Sequence, residues 1–412
     1  MAQLDFENFS FSKKDDETVH VTYAERYFFQ VPLADFTKID EAVEIKGKTL
    51  LFPNAKDSVA DRKVDMIIDR GLHSMVHKIN KKDVVYIDEE SGIPLVGSGE
   101  FGVIDRNTSL LEVKTHTGCN FNCNYCSVDE GVNNKTADIL IDPYYMAQEC
   151  AKLAARKEHP VEFNLGPHGE PLLYPFTKVL VEELAQIPNC AVISVNTNGS
   201  FLSRQLIDEL KEAGLTRINL SLNTLDQEVH NKLAGRVYPL KHVLKMVEYC
   251  KEIGMPILLA PTIIPGFNDS VERDIEPLIK LAKTISSPYP TIGIQKFLEY
   301  KGGRNPSKAI PFEDFFATLR PLEEKYDVVL TPKADWNPFG IYMDTKLEKP
   351  FHKGDVIKVT IKAVGRVPSE KIAVAGDRIV TVRNCHKAIG ASTKVKLIRD
   401  KHNIFNAVDM KG

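Results

Sequence analysis

The chain has 412 residues, 43% hydrophobic and 26% charged, a composition that supports two or three folded domains and excludes a mostly disordered protein. Its apolar runs are too short to cross a bilayer, and its acidic N-terminus lacks the features of a secretory signal. Seven cysteines, three of them clustered, favour a metal site in a reducing cytoplasm over a disulfide framework.

Residues 1–108 read as a mainly-β domain. Apolar and polar residues alternate over residues 18–23, and residues 27–31 are aromatic and β-branched, as strands require. One amphipathic helix is predicted over residues 61–76. This part contains no cysteine and no nucleotide-binding glycine loop, so the sequence assigns it no chemistry.

A cysteine-rich loop follows a predicted strand at residues 110–114. After Gly118 the chain carries Cys119, Cys123 and Cys126 in a polar, asparagine-rich stretch that can aim several thiolates at one point. Thiolates at this density select zinc or an iron–sulfur cluster. Three cysteines would bind three irons of a cubane and leave the fourth open. Alternatively, His116 completes a closed Cys3His zinc site.

From residue 110 to about residue 300, strands alternate with amphipathic helices, which predicts βα units around a parallel sheet. Six repeats predict a partial (β/α)6 barrel in a domain over residues 109–330, with polar motifs at the strand C-termini. The predicted helices are residues 141–157, 177–184, 204–213, 240–253 and 275–284. The predicted strands after the first are residues 162–165, 191–196, 217–222, 257–263 and 291–297.

The spacing Cys-x3-Cys-x2-Cys, with Tyr125 just before the last cysteine, resembles the signature of radical S-adenosylmethionine (SAM) enzymes. The resemblance implies a [4Fe-4S] cluster held by the three cysteines, SAM as second cofactor, and an external one-electron reductant. In that family the reduced cluster cleaves SAM to a 5'-deoxyadenosyl radical that abstracts hydrogen from the substrate. An archaeal-type subgroup is expected.

The strand-end motifs resemble those that bind SAM in this family. His168-Gly169-Glu170 is similar to the Gly-Gly-Glu motif after the second strand, with His168 replacing the first glycine. Their order behind the cysteine loop favours the cluster over zinc. The SAM contacts implied by the resemblance are Tyr125, His168, Gly169, Glu170, Asn196, Thr197, Asn198, Ser221, Asn223, Arg236 and Ile263.

The C-terminal part is basic and again β-rich. Residues 331–350 are expected to form a linker, in which Trp336 packs and has no catalytic role. Residues 351–412 hold 13 Lys and Arg against 5 Asp and Glu, and five short predicted strands fit a Greek-key or OB-like barrel. This barrel resembles a TRAM domain, which grips RNA in radical enzymes that modify tRNA. The expected phosphate contacts are Lys358, Lys362, Arg366, Arg378, Arg383, Lys396 and Arg399.

Three functions therefore remain open. The first is a radical SAM enzyme acting on RNA, with tRNA the favoured class. The second keeps the radical chemistry on a protein, peptide or small molecule, with the barrel as a docking module. The third is a non-catalytic RNA-binding protein with structural zinc. The remaining cysteines (Cys150, Cys190, Cys250 and Cys385) are scattered, which argues against a second cluster.

Overall fold

The computed structural model describes residues 1–78, 81–131, 136–166, 168–332 and 337–410. Trp336 and residues 333–335 of the expected linker lie outside the described residues. Within these ranges the strands are β1 (Ala2–Asp5), β2 (Phe9–Lys13), β3 (Thr18–Tyr23), β4 (Tyr27–Pro32), β5 (Glu44–Lys46), β6 (Thr49–Phe52), β7 (Val76–His77), β8 (Asp83–Ile87), β9 (Gly102–Asp105), β10 (Leu110–Lys114), β11 (Ala137–Ile141), β12 (Val161–Leu165), β13 (Cys190–Thr197), β14 (Arg217–Leu220), β15 (Ile257–Leu259), β16 (Thr262–Ile263), β17 (Gln295–Lys296), β18 (Val356–Val364), β19 (Lys371–Ala375), β20 (Arg378–Arg383), β21 (Ser392–Arg399) and β22 (Asn406–Asp409).

The α-helices are α1 (Leu33–Thr37), α2 (Asp57–Leu72), α3 (Pro143–Ala154), α4 (Thr177–Ala185), α5 (Arg204–Ala213), α6 (Gln227–Ala234), α7 (Leu240–Ile253), α8 (Glu276–Ala282) and α9 (Phe312–Tyr326). Short 3-10 helices span Pro171–Leu173 and Lys401–Asn403, and a π-helical turn at Val271–Ile275 leads into α8. No described helix combines the length and apolarity that a membrane crossing requires.

The N-terminal part contains two sheets. One is three-stranded, in the order β1-β6-β5, and the other is six-stranded, in the order β11-β8-β7-β4-β3-β2. In β3 every second residue is buried, which is the alternation that the sequence shows. The predicted helix over residues 61–76 is observed as α2, which begins four residues earlier and ends four residues earlier.

The central sheet is mostly parallel and has the order β15-β14-β13-β12-β10-β9. Beyond β15 the chain continues into β16, whose Thr262 pairs in parallel with Gln295 of β17. Six parallel strand positions thus follow one another with α3, α4, α5, α7 and α8 between them. The predicted α/β architecture is confirmed.

Two strands cross the predicted boundary at residue 108. β9 precedes it but pairs antiparallel with β10 of the central sheet. β11 follows it but pairs in parallel with β8 of the N-terminal sheet. Residue Ile141, predicted to begin a helix, ends β11, and α3 starts at Pro143, where the Asp142 carboxylate accepts hydrogen bonds from two backbone N–H groups.

The C-terminal part is a closed five-stranded barrel in the order β18-β19-β20-β22-β21. Its interior is a separate apolar core that includes Ile361, Val380 and Phe405. The barrel is also joined to the body through backbone hydrogen bonds: Ile379 N donates to Val96 O, and Phe405 N donates to Gly97 O, each over 2.8 Å.

The described part of the expected linker runs against the central sheet. Ser109 N donates to Tyr342 O over 2.9 Å. The Asp344 carboxylate accepts from Glu158 N and His159 N, each at 3.0 Å. These contacts fix the chain between α9 and the barrel to the start of β10 and the loop after α3.

Candidate active site

The cysteine loop lies between β10 and β11 and is held from two sides. Asn122 N and Asn124 N donate to the carbonyls of Ala234 and Leu233 at the end of α6, each over 3.0 Å. From the other side, Arg304 donates from its Nη1 atom to Cys123 O over 2.9 Å. Helix α6 has no counterpart among the predicted elements, so the sequence did not reveal this support.

The three cysteines line one cavity of about 320 Å³. Burial raises the pKa of the Cys123 thiol to about 12, and it raises the pKa of Cys119 and of Cys126 as well. The thiols are therefore neutral near pH 7 until bound metal displaces their protons. Three convergent thiols without a fourth cysteine on the cavity are a donor set that fits a cluster with one open iron.

The geometry argues against the zinc alternative. A mononuclear zinc ion bonds its ligands at about 2.0 to 2.3 Å, so their ligand atoms lie within about 4 Å of one another. Among the described residues, one trio of His, Cys, Asp or Glu side chains has its possible ligand atoms within 4.8 Å of one another. This trio is Asp69, His73 and Asp88, near the end of α2. Cys119, Cys123 and Cys126 do not form such a trio. His116 is buried beside Tyr174, with ring centroids 5.9 Å apart, and does not line the cavity.

The end of β12 packs directly against the start of the cysteine loop. Glu170 N donates to Gly118 O over 2.8 Å. Gly169 has a φ of +69°, and a Cβ there would lie 2.1 Å from the same carbonyl oxygen. Glycine is thus required at position 169 by both the backbone conformation and the close approach.

The Glu170 carboxylate organises the neighbouring strand end. It accepts hydrogen bonds from Thr197 Oγ1 at 2.6 Å and from Asn198 N at 2.8 Å. Burial raises the pKa of Glu170 to about 7, although these hydrogen bonds act in the opposite direction. The group can therefore hold a proton near neutral pH.

Asparagine side chains link the strand ends to one another and to the cysteine loop. Asn198 donates to Asn120 Oδ1 over 3.0 Å. Asn196 donates to Asn164 Oδ1 and accepts from Asn219, each at 2.8 Å. Glu170, Asn196 and Asn198 form a polar wall of the cavity, and these hydrogen bonds hold their side chains in place.

Ten of the predicted cluster and SAM residues line this cavity, and that they bind these cofactors stays a prediction. They are Cys119, Cys123, Tyr125, Cys126, Gly169, Glu170, Asn196, Thr197, Asn198 and Ser221. The cavity is also lined by residues that the sequence did not single out, namely Ser127, Val128, Glu130, Thr262, Gln295, Lys296, Phe297, Leu298 and Tyr300. Several of them follow the sixth strand, where the strand-end rule used for the earlier strands would have found them.

The other four predicted SAM residues lie off the cavity. The exposed side chain of Arg236 donates to Asn120 O over 2.8 Å, and its contact with SAM stays a prediction. His168 is buried with its Nε2 atom 3.1 Å from Glu130 Oε1. Asn223 reaches the Tyr125 hydroxyl, and Ile263 is buried in β16.

Two of the predicted phosphate contacts are buried in the structure. Arg366 and Arg378 are only 4% and 5% exposed. Arg366 pairs with Glu100 and Glu130, and Arg378 donates to Glu348 O over 2.9 Å, so neither guanidinium is available to an RNA backbone. Lys362 is half-buried, and Lys358, Arg383, Lys396 and Arg399 are exposed.

Comparison with known proteins identifies the family. The sequence profile of the Radical SAM superfamily matches residues 113–282. The protein MJ0103 of Methanocaldococcus jannaschii is 36% identical over 398 residues, which cover 89% of this chain and 90% of that protein. The chain belongs to the radical SAM superfamily. Enzymes of this superfamily use a [4Fe-4S] cluster and SAM.

Other proteins are similar over smaller parts of this chain. GTP 3',8-cyclase of Aquifex aeolicus is 28% identical over 265 residues, covering 61% of this chain and 78% of that enzyme. Among solved structures, SuiB of Streptococcus suis bound to S-adenosylmethionine has a TM-score of 0.41 at 12% identity, covering 80% of this chain and 72% of that one.

Proposed function

We propose that this radical SAM enzyme acts on RNA, with tRNA the favoured class, and that its C-terminal barrel is an OB-like domain of the TRAM type that holds the RNA backbone. The strand order, in which the fifth strand lies between the third and the fourth, is a Greek-key arrangement and supports the OB-like assignment. The proposal includes an external one-electron reductant, a cytoplasmic location and an archaeal-type subgroup.

The observation that carries the RNA proposal is a lysine strip on the barrel, made of Lys358 and Lys362 on β18 and Lys394 and Lys396 on β21. Lys358 and Lys394 are directly opposite in the antiparallel pair, and both are exposed. No described acidic residue forms an ion pair with any of the four. Like charges placed opposite each other destabilise a sheet, and a bound polyanion would relieve that repulsion.

The lysine strip begins beside the candidate active site. β18 leads into Arg366, whose guanidinium meets Glu130 on the cavity wall. Lys358 and Lys362 lie four residues apart on β18, which is roughly 13 Å at about 3.3 Å per residue, and Lys362 is the nearer of the two to Arg366 in sequence. A nucleic acid held on the strip would have a neighbouring nucleotide within reach of the cavity.

Within the cavity, Cys119, Cys123 and Cys126 would hold three irons of the cluster. The bound cluster and SAM supply the 5'-deoxyadenosyl radical that takes hydrogen from the substrate. The polar wall of Glu170, Asn198 and their partners would orient SAM through hydrogen bonds.

Charge reversal tests the RNA proposal without deleting the barrel, whose removal would expose the surface that packs on Val96 and Gly97. In the double variant Lys358→Glu/Lys394→Glu, we expect tRNA affinity to fall. We also expect the negative slope of log K against log salt to become less steep by about 1.5, for two lost phosphate contacts. The matched control is Lys241→Glu/Lys245→Glu, which reverses two exposed charges on α7. Equal tRNA binding by all three proteins at every salt concentration would refute the RNA proposal.

The second candidate is a small-molecule substrate, and the similarity to GTP 3',8-cyclases favours a nucleotide within that class. Nucleoside mass spectrometry of tRNA from a strain that lacks the gene separates the two. A modified nucleoside that disappears with the gene supports RNA. An unchanged nucleoside profile, together with GTP consumption by the purified enzyme, supports the second candidate.

A further inference from the structure

A buried arginine of the barrel contacts a residue that lines the active-site cavity. Arg366 lies in the turn between β18 and β19, and its Nη2 atom donates to Glu130, a residue that lines the cavity. Its Nη1 atom is 3.2 Å from Glu100 Oε1. The Arg366 carbonyl accepts a hydrogen bond of 2.7 Å from Thr136 N, so its backbone is also fixed to the chain that follows the cysteine loop.

Glu130 connects this arginine to the candidate cluster ligands. It comes four residues after Cys126, and its backbone N–H lies 3.2 Å from the Cys126 sulfur. Its Oε1 atom, which Arg366 contacts, is also 3.1 Å from His168 Nε2 at the end of β12. One carboxylate thus joins the cysteine loop, a strand end and the barrel.

All three side chains of this network are buried, which makes each partner dependent on the others. The side chains of Arg366, Glu130 and His168 are 4%, 2% and 0% exposed. Removing one member of a buried ion pair leaves the other charge without compensation, so the surrounding structure must move or admit water. Glu130 belongs to the segment whose backbone N–H group is directed at the Cys126 sulfur.

We propose that Arg366 is a positioning residue for the cluster: through Glu130 it fixes the chain after Cys126 and the side chain of His168. The barrel therefore supports the cavity wall from behind, through the contact of Arg366 with Glu130. This inference goes beyond the proposed RNA substrate, since it applies to a substrate of any class.

The test uses the full-length protein with its cluster reconstituted anaerobically. Arg366→Met removes the charge and keeps much of the side-chain volume. The matched control is Arg378→Met, which removes an equally buried arginine of the same barrel whose partners are Glu348 O and Asp377. The readouts are iron and sulfide content, the electron paramagnetic resonance spectrum of the reduced cluster with and without SAM, and the rate of 5'-deoxyadenosine formation.

In Arg366→Met we expect an altered spectrum and a rate lowered by about tenfold or more, as for other residues that orient metal ligands through a hydrogen bond. Arg378→Met should keep the parental spectrum. Arg366→Lys should give an intermediate spectrum, because one ammonium group cannot reproduce the two-pronged contact with Glu100 and Glu130. A parental spectrum in Arg366→Met, with and without SAM, would overturn the inference.

If Arg366→Met fails to fold, the double variant Arg366→Met/Glu130→Gln removes both charges of the pair and is the protein to measure, with Arg366→Lys as the charged counterpart. An altered spectrum in either supports the positioning role, and parental spectra in both contradict it. Absence of a cluster from the parental protein would instead contradict the cofactor assignment, so the two failures are distinguishable.

Discussion

Asn223, at the end of β14, donates a hydrogen bond of 2.5 Å from its Nδ2 atom to the hydroxyl of Tyr125. Its Oδ1 atom accepts from Thr262 N over 2.9 Å, and its carbonyl accepts from Asn268 over 2.8 Å. The aromatic residue between the second and third cysteines is thereby anchored to two adjacent strand ends. Asn223 acts on the cavity through Tyr125 and does not line it.

The Tyr125→Phe variant measures this anchor. It leaves the buried Asn223 amide with an unsatisfied donor, so we expect the free energy of unfolding of the metal-free protein to fall by about 1 to 2 kcal/mol. Urea unfolding followed by circular dichroism checks this value. Tyr300→Phe is the control, because the exposed Tyr300 hydroxyl has no hydrogen-bond partner among the described residues and its loss should change nothing. Equal stabilities of the two variants would contradict the expectation.

A second prediction concerns Gly169. In Gly169→Ala the new Cβ would meet Gly118 O at 2.1 Å, and backbone atoms cannot move aside cheaply. We expect a loss of at least about 3 kcal/mol in unfolding free energy, together with reduced iron incorporation. Gly254→Ala is the matched control, since Gly254 has a similar φ of +66° but open space around it, and should cost only about 1 kcal/mol. The comparison fails if both variants lose the same stability.

The third prediction is a pH dependence due to Glu170. Burial raises the pKa of this carboxyl from 4.5 to about 7, so the folded protein retains a proton that the unfolded chain releases. Stability of the metal-free protein should therefore decline as pH rises from about 5 to 7, by roughly 3 kcal/mol at most. The Glu170→Gln variant lacks this titration, and its unfolding free energy should vary less over the same range. Parallel pH profiles of the two proteins would exclude the effect.

The fourth prediction separates stability from RNA binding on the lysine strip. Lys394→Glu replaces a repulsive cross-strand pair with an attractive one, so we expect a gain of about 0.5 kcal/mol in unfolding free energy. The same change should weaken tRNA binding. Lys396→Glu, opposite Val356, should weaken binding similarly with a smaller gain in stability. A drop in stability for Lys394→Glu would show that the two ammonium groups do not repel each other in the folded barrel.

The site was predictable where it depended on strand ends. In a parallel sheet the carboxyl ends of the strands share one edge, so Gly169, Thr197 and Ser221 meet although they are far apart in sequence. Their placement needed only the strand positions and the polar residues that follow them. The residues after β17 obey the same rule and were accessible to the same reasoning.

Burial of charge was not predictable in this way. Arg366, Arg378 and Lys358 are all basic residues of the C-terminal part, and the sequence does not distinguish them. In the structure the two arginines are buried against tertiary partners such as Glu130, whereas Lys358 is exposed. Long-range pairing was equally hidden, because the apolar run of β11 fits a helix start as well as a strand. Its pairing with β8 depends on where residue 83 lies in space, which local periodicity does not encode.

The carbonyls of Val96 and Gly97 accept hydrogen bonds from Ile379 N and Phe405 N of the barrel, and a Cβ on Gly97 would lie 2.3 Å from the Ile379 oxygen. A chimaera carrying another protein's small barrel would present these carbonyls to a surface that offers no matching donors. An exchange of the barrel therefore requires that the segment around Val96 and Gly97 be exchanged with it.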